Sequence, residues 1–558
     1  MNDKEFNLLD EPWIRVIDRD CNVHEVSLIE LFEQAHIYKD LCGELPTQDF
    51  AMLRLLLAVL HTVFSRYDEN GDESPLEDSD EALGRWKELW EGGRFPIEVI
   101  AEYLESQREN FYLFHPEKPF YQCEHAKAGT EYSASKLNGN LSESSNKLRL
   151  FTDISGKAKE EMSFAEAARW LLYVNAYDDT SAKPSRESKE RGVKLPSVGV
   201  GWLGKLGIIF VTGDNLFETL MLNLIMGNKS EELLGKETPV WEREKIADGE
   251  RTQIPFPDNL SELYTLQSRR LYLKKKDKKV TGYFLLGGDF FDRECKPGAG
   301  WMEPMTVWKN PDNKKTDVYT PRRHDASKQF WRECPAAFLG DEKNQKPGII
   351  EWIKNLEEKE WIKNYDLNIR IVSVQYGDKD FFVTNVFSDS LQMHASLLSD
   401  MHISWRNMVL DSIEFCEKIA KKVWSFAKDV DLACGGSDST KESKGTSVFF
   451  AENVKADFYN RIDSPFRRWL YGLNPELGCG DILYHKREEW RHECVAVARK
   501  LGNEIIRQAG AAAIFGRTKS DSEDKKISQT LDKKSGKTFS AASAMNRFLS
   551  GLSAAEKG

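Results

Sequence analysis

The chain has no paired cysteines. Its nine Cys stand singly, with no C-x-x-C, which excludes a disulfide framework or a zinc knuckle as the organising device and predicts reduced thiols in a cytoplasmic chain. Long apolar runs are absent too. The longest apolar region, residues 50–64, is broken by Arg54 and His61 and falls short of the ~18 uninterrupted apolar residues that mark a membrane span. The opening Met1-Asn2-Asp3-Lys4-Glu5 has neither the basic nor the apolar region of a secretory signal. Positive charge is not in excess: the net charge is −12 and the pI about 5.6. That argues against a free-standing nucleic-acid binder, because phosphate neutralisation supplies most non-specific affinity. It suits a subunit whose partners carry the electrostatic work, with basic character confined to local faces.

Catalytic constellations are scarce as well. There is no G-x-S-x-G elbow, no H-E-x-x-H and no His-x-His among the ten histidines. His485 and His492 lack a recognisable carboxylate arrangement and read as structural or solvated. Gly199-Val200-Gly201-Trp202-Leu203-Gly204-Lys205 satisfies both G-x-G-x-x-G and G-x-x-x-x-G-K. A phosphate site of either kind needs a helix after the glycines. Here Leu206 stands where magnesium needs Ser or Thr, and β-branched residues follow. The stretch is therefore expected to be a turn feeding a core strand, or a backbone surface that approaches nucleic acid. His324-Asp325 is the one His-Asp dipeptide, and it keeps a metal-dependent nuclease or phosphohydrolase open as the alternative function.

At 558 residues the chain exceeds what one core supports. The predicted fold is α+β: a large mixed α/β N-terminal domain over 1–388, then a C-terminal four-helix bundle over 389–558. Residues 47–64 are apolar nearly all round and predict a buried helix with Thr47 as its N-cap. Residues 80–91, 164–177 and 216–226 read as further helices. Residues 133–163 and 178–196 are polar loops, long enough to be functional and expected to order on assembly. Between 240 and 385, short strand-like runs (283–286, 369–372, 381–383) alternate with turns. Beyond about 388 the period changes to long amphipathic stretches at 408–430, 447–471, 481–509 and 540–552.

Basic residues form three groups: the two polar loops, the 274–296 region with Arg322-Arg323, and residues 461–519, where eleven Lys or Arg meet seven Asp or Glu. Most such charge is a solvated face. Three motifs add an identity. Leu8-Leu9-Asp10-Glu11-Pro12-Trp13-Ile14 combines a rigid proline turn with an apolar pair and a large aromatic. Phe111-Tyr112-Leu113-Phe114-His115-Pro116 runs on to Pro119-Phe120, and Gly201-Trp202-Leu203-Gly204 is followed by Val211 and Asn215-Leu216-Phe217-Glu218-Thr219-Leu220. In this order they resemble the CasA family, the large subunit of the type I-E CRISPR surveillance complex, Cascade.

The resemblance implies a non-catalytic subunit without cofactor or metal. It would recognise a protospacer-adjacent motif on double-stranded DNA, aid duplex opening beside a guide RNA, and recruit a helicase–nuclease in antiviral defence, with the other Cascade subunits as partners. It places a guide-end contact at Leu150, Phe151 and Thr152, and a motif-reading loop near Ala182 and Lys183. A minor-groove finger would be Arg293 or Lys296. The strand-separating wedge would be the hairpin tip Gly377, Asp378, Lys379, Asp380 and Phe381, a cation beside an apolar insert. Displaced-strand contacts are expected at Arg467, Arg468, Lys486, Arg487 and Arg491. A scaffold that meets only protein and guide RNA is the third possibility.

Overall fold

The computed structural model describes residues 4–143, 148–149, 152, 154–180, 199–227, 235–244, 251–291, 303–310, 319–338, 343–438, 445–478, 480–518 and 538–557. They form two compact units, residues 1–363 with 367–391 and residues 364–366 with 392–558.

In the first unit, the N-terminal motif closes a core. Leu8, Leu9, Trp13 and Ile14 are buried, and the Trp13 indole donates to the Leu8 carbonyl at 3.0 Å. Strand β1 (Ile14–Ile17) pairs antiparallel with β2 (Val23–Val26) on one side and β3 (Asp40–Leu41) on the other. Helix α1 (Pro46–Phe64) is buried along nearly its whole length. It is the one helix among the described residues long and apolar enough to cross a membrane, and here it is a core helix. Its N-cap is Leu45 with Pro46 opening the first turn, not Thr47. Proline at the first helical position costs the helix no hydrogen bond, since the N–H it lacks would be unpaired anyway.

Arg54 interrupts this apolar helix and is paired inside the core. Its guanidinium donates to Glu303 at 2.6 Å, with both side chains nearly inaccessible, and lies 4.2 Å from the centre of the Tyr264 ring. Helix α2 (Ser79–Gly92) is capped by Asp78, which accepts from the N–H groups of Asp80 and Glu81. Helix α3 (Phe164–Tyr177) is capped by Ser163, and its Arg169 donates to the Trp13 carbonyl at 2.7 Å. Helix α4 (Leu216–Asn223) is capped by Asn215 and ends three residues before the expected 226.

Two further three-stranded sheets of this unit position the candidate site. One orders β4 (Thr130–Ser133), β7 (Lys279–Gly287) and β6 (Arg269–Lys276) with β7 central. The other places the fully buried β5 (Ile208–Thr212) against β8 (Asp366–Tyr376), antiparallel from Ile208↔Val372 to Thr212↔Asn368, with β9 (Val383–His394) on the far side of β8. Phe381 and Phe382, expected in a strand, belong to the connection between β8 and β9.

The second unit is the four-helix bundle: α5 (Ile403–Cys434), α6 (Thr446–Tyr471), α7 (Asp481–Gln508) and α8 (Ala541–Lys557). Helix α5 packs against all three others. Phe426 stacks on Phe548 at 4.5 Å between ring centres, and Phe466, Trp469 and Trp490 form an aromatic cluster joining α6 to α7. A short helix, Ala511–Phe515, and a two-residue pairing of Arg517–Thr518 with Thr538–Phe539 lie between α7 and α8; neither shows in the sequence pattern.

Candidate nucleic-acid interface

The hairpin of β8 and β9 ends in a compact tip. Gly377 N–H donates to the Phe382 carbonyl at 2.8 Å and Asp380 N–H to the Gly377 carbonyl at 3.1 Å. Lys379 and Asp380 both take left-handed backbone conformations, with φ of 55° and 58°. Phe381 stands 54% exposed, and among the described residues Lys379 has no ion-pair partner. Asp380 is not free: its carboxylate receives both arms of the Arg323 guanidinium at 2.8 and 3.0 Å. One of the two tip acids is thus neutralised, leaving Asp378 as the acid at the surface.

The base of the hairpin is equally fixed. Tyr376 donates from its hydroxyl to the Tyr177 carbonyl at 2.7 Å, and the Arg323 guanidinium lies 5.1 Å from its ring centre. Thr180 joins the tip from a different part of the chain. Its N–H donates to the Asp380 carbonyl at 3.0 Å and its hydroxyl to the Lys379 carbonyl at 2.7 Å. The structure therefore brings the threshold of the second polar loop against the hairpin tip.

That threshold is itself clamped. Arg269, almost wholly buried, donates to the Asp178 carboxylate at 2.6 Å and to the carbonyls of Asp179 at 2.9 Å and Gly199 at 3.0 Å. Lys136 pairs with Asp179 at 3.1 Å. Residues 178–180 and 199–201 are held side by side, and Gly201 N–H closes the pair on the Asp178 carbonyl at 2.9 Å. The glycines that follow serve packing. A Cβ on Gly201 would strike the Ala176 carbonyl, and one on Gly204 the Tyr376 hydroxyl. After a single 3₁₀ turn, Trp202–Lys205, the chain enters β5 and not a helix, so the phosphate-loop geometry is absent and the turn-into-strand reading holds.

His324-Asp325 does not form a reactive pair. The buried His324 ring meets Glu333 through Nδ1 at 2.6 Å and the Ile208 carbonyl through Nε2 at 3.1 Å, so both nitrogens are committed. Burial alone would raise the Glu333 carboxyl, but the His324 bond and the nearby Arg322 and Lys328 charges outweigh it and hold the carboxyl below its ordinary range. Asp325 turns to Ser327, whose hydroxyl and N–H both donate to it, and its carboxyl is lowered first by that hydroxyl bond. Among the described residues no three His, Cys, Asp or Glu side chains gather as a metal site would require.

On the bundle, four of the five cations expected to hold a displaced strand are paired locally. Arg467 meets Asp463 at 2.9 Å and Lys486 meets Glu489 at 3.0 Å. Arg487 and Arg491 flank Glu488 at 3.6 and 3.7 Å, and Arg491 also lies over the Phe415 ring. Arg468 is exposed. A second stretch of α7 is different. Arg499, Lys500 and Arg507 line, with Asn503 and Ala496, a groove of about 330 Å³ and have no ion-pair partner among the described residues. Glu504 in the same groove is already taken by Arg461 at 2.7 Å.

The family model of the CRISPR-associated protein Cse1 matches residues 7–501. The chain belongs to the Cse1 family. It is 31% identical over 279 residues to the CRISPR-associated protein CasA/Cse1 of Thermus thermophilus, a match covering 48% of this chain and 49% of that protein, about half the length of this curated relative. Its fold is similar to the crystal structure of Thermobifida fusca Cse1, with a TM-score of 0.80 and 28% identity over 99% of this chain and 98% of that one. A chain of a structure described as a CRISPR RNA-guided surveillance complex has the same fold at a TM-score of 0.67, covering 98% of this chain and 99% of that one at 17% identity.

For a Cse1 chain, the sites expected from sequence divide clearly. Gly377, Asp378, Lys379, Asp380 and Phe381 lie together at the hairpin tip, and Thr180 ties the start of the Ala182–Lys183 loop to them. Ala182 and Lys183 themselves lie outside the described residues, as do Leu150, Phe151, Arg293 and Lys296. Thr152 is exposed, and its hydroxyl accepts from the Ile154 N–H at 3.1 Å. Missed from sequence were Thr180 and Arg323 at the tip, and the Arg499-Asn503-Arg507 stripe. The stripe was visible in principle as an i, i+4, i+8 repeat on one helix face; the partners of the tip were not, since they lie 57 and 199 residues away from the atoms they bind.

Proposed function

We propose that this chain is the non-catalytic large subunit of a type I-E CRISPR surveillance complex. It recognises the protospacer-adjacent motif on double-stranded DNA, helps open the duplex for pairing with guide RNA, and recruits the helicase–nuclease. Family membership carries the reading, and the hairpin tip gives it a physical means: a rigid turn presenting Lys379, without an ion-pair partner among the described residues, and a half-exposed Phe381. A cation and an apolar insert on one rigid element suit a narrow groove and a base step to be unstacked. Guide pairing reads the long sequence, so the protein need only read a few base pairs and lower the cost of opening.

In this reading the first unit holds the motif and guide-end contacts. The tip acts with Ala182 and Lys183, with Arg293 or Lys296 as a further finger, while Leu150, Phe151 and Thr152 meet the guide end of the complex. The bundle supports the displaced strand. There Arg499, Lys500 and Arg507 join Arg467, Arg468, Lys486, Arg487 and Arg491, and they are better suited than the four paired cations because no carboxylate among the described residues neutralises them. The other Cascade subunits, the guide RNA and the target duplex are the partners. The nuclease alternative loses its histidine, since both ring nitrogens of His324 are engaged inside the fold.

The test is an electrophoretic shift of duplex target by guide-loaded partner subunits, with and without this chain, across a library of flanking motifs. Motif-dependent binding that appears only when the chain is added is the expected result. Equal binding without it would overturn the assignment.

A further inference from the structure

Two consecutive left-handed residues are unusual in a turn that contains no glycine at those positions. Lys379 and Asp380 each carry a Cβ, which crowds the following carbonyl when φ is positive. Such strain persists only where the surroundings over-determine it. Here three groups from outside the hairpin do so. The Thr180 N–H and hydroxyl bind the carbonyls of Asp380 and Lys379, and the Arg323 fork binds the Asp380 carboxylate. Each donor has its own anchor. Thr180 follows Asp178 and Asp179, which Arg269 and Lys136 hold. Arg323 precedes His324, whose ring bridges Glu333 and the Ile208 carbonyl. The close passage of Gly207 beneath this segment, where a Cβ would strike the Arg322 carbonyl, fixes it further.

We propose that Thr180 and Arg323 are positioning residues that preset the 377–381 tip in the shape in which Lys379 and Phe381 meet duplex DNA. The inference rests on the reading of the tip given above. It also gives roles to two neighbours. His324 seats the segment that delivers Arg323, and Asp380 is a tether and not a DNA-facing acid. If these bonds are lost, the left-handed pair relaxes and the competent shape becomes a minor population. Apparent affinity for closed duplex then falls in proportion to that population. A target already opened at its first base pairs has less need of the tip and loses less.

The experiment uses guide-loaded complexes assembled with the full chain or its Thr180→Val, Thr180→Ser, Arg323→Met, Lys379→Ala and Phe381→Ala variants and the double variant Thr180→Val with Lys379→Ala. Dissociation constants are measured for a closed duplex and for the same duplex pre-opened beside the motif, after thermal melting of each variant chain. Thr180→Val removes one hydroxyl without changing shape, so it guards against misfolding of Arg323→Met. The expected result is that both weaken closed-duplex binding about tenfold more than pre-opened binding, that Thr180→Ser restores it, and that Lys379→Ala costs less in the Thr180→Val background than alone. Wild-type binding by Thr180→Val while Lys379→Ala or Phe381→Ala weakens it would overturn the inference and leave the tip reading standing. Equal losses on both targets would also overturn it. No effect from either tip variant would remove both.

Discussion

Two buried ionisable residues set measurable terms in the stability of the first unit. Arg54 and Glu303 are paired at 2.6 Å with almost no access to water. Breaking such a pair from one side leaves an uncompensated buried charge. Arg54→Met is therefore expected to destabilise the unit by about 3–5 kcal/mol in urea unfolding, and the double variant Arg54→Met with Glu303→Gln to recover most of it. Glu237 is pushed up to about 7 by burial, against the lowering effect of its bonds to Ser261 and Leu260. Its ordinary value is 4.5, so between about pH 4.5 and 7 the folded state holds a proton that the unfolded state has released. Stability falls across that window as pH rises and levels off above it. His61, whose ring lies 3.9 Å from Glu237, is pushed down to about 3 by burial and stays neutral throughout. Glu237→Gln should remove the decline and gain on the order of 2–3 kcal/mol over wild type above pH 7, read from urea midpoints at pH 5 and pH 8. Neither residue was legible from sequence: a lone Arg in an apolar helix gains a role only once its partner 249 residues away is in place, and a Glu in a polar stretch looks solvated until the fold buries it.

At the scale of elements, periodicity read well and termini less so. The helices of residues 47–64, 164–177 and the bundle follow from their apolar spacing, as does β5 from its run of Ile, Phe and Val. The Thr47 cap failed because Pro46 already opens the helix. Phe381 and Phe382 read as strand because aromatics favour strands, yet the turn between β8 and β9 claims them. Helix α7 carries the next prediction. Arg499, Asn503 and Arg507 recur every four residues, about 6 Å apart along the axis, a spacing that lets a phosphate chain run along the groove. The triple variant Arg499→Gln, Lys500→Gln, Arg507→Gln should lower the slope of log affinity against log salt by about 2 for single-stranded DNA bound to the assembled complex. The same change at Lys486, Arg487 and Arg491, already beside Glu489 or Glu488, should lower it less. Equal effects would return the displaced strand to the first set.

For the whole molecule, the acidic balance and the family motifs were both legible: a net charge of −12 and membership of the Cse1 family. What could not be read was how distant segments converge. The hairpin tip is built from residues near 180, 323 and 380, and its strain and its neutralised acid exist only once all three meet. The same long reach bears on how the chain is made. Helix α1 leaves the ribosome early, apolar on nearly every face and with Arg54 still unpaired, while Glu303 follows 249 residues later. At ordinary synthesis rates that interval is roughly 10–50 s. During it the nascent chain exposes a segment that resembles a membrane span carrying a stray charge, a target for holding chaperones. Ribosome-released fragments ending before residue 303 are expected to pellet or to remain chaperone-bound, and fragments extending past residue 391, where the first unit is complete, to stay in the supernatant.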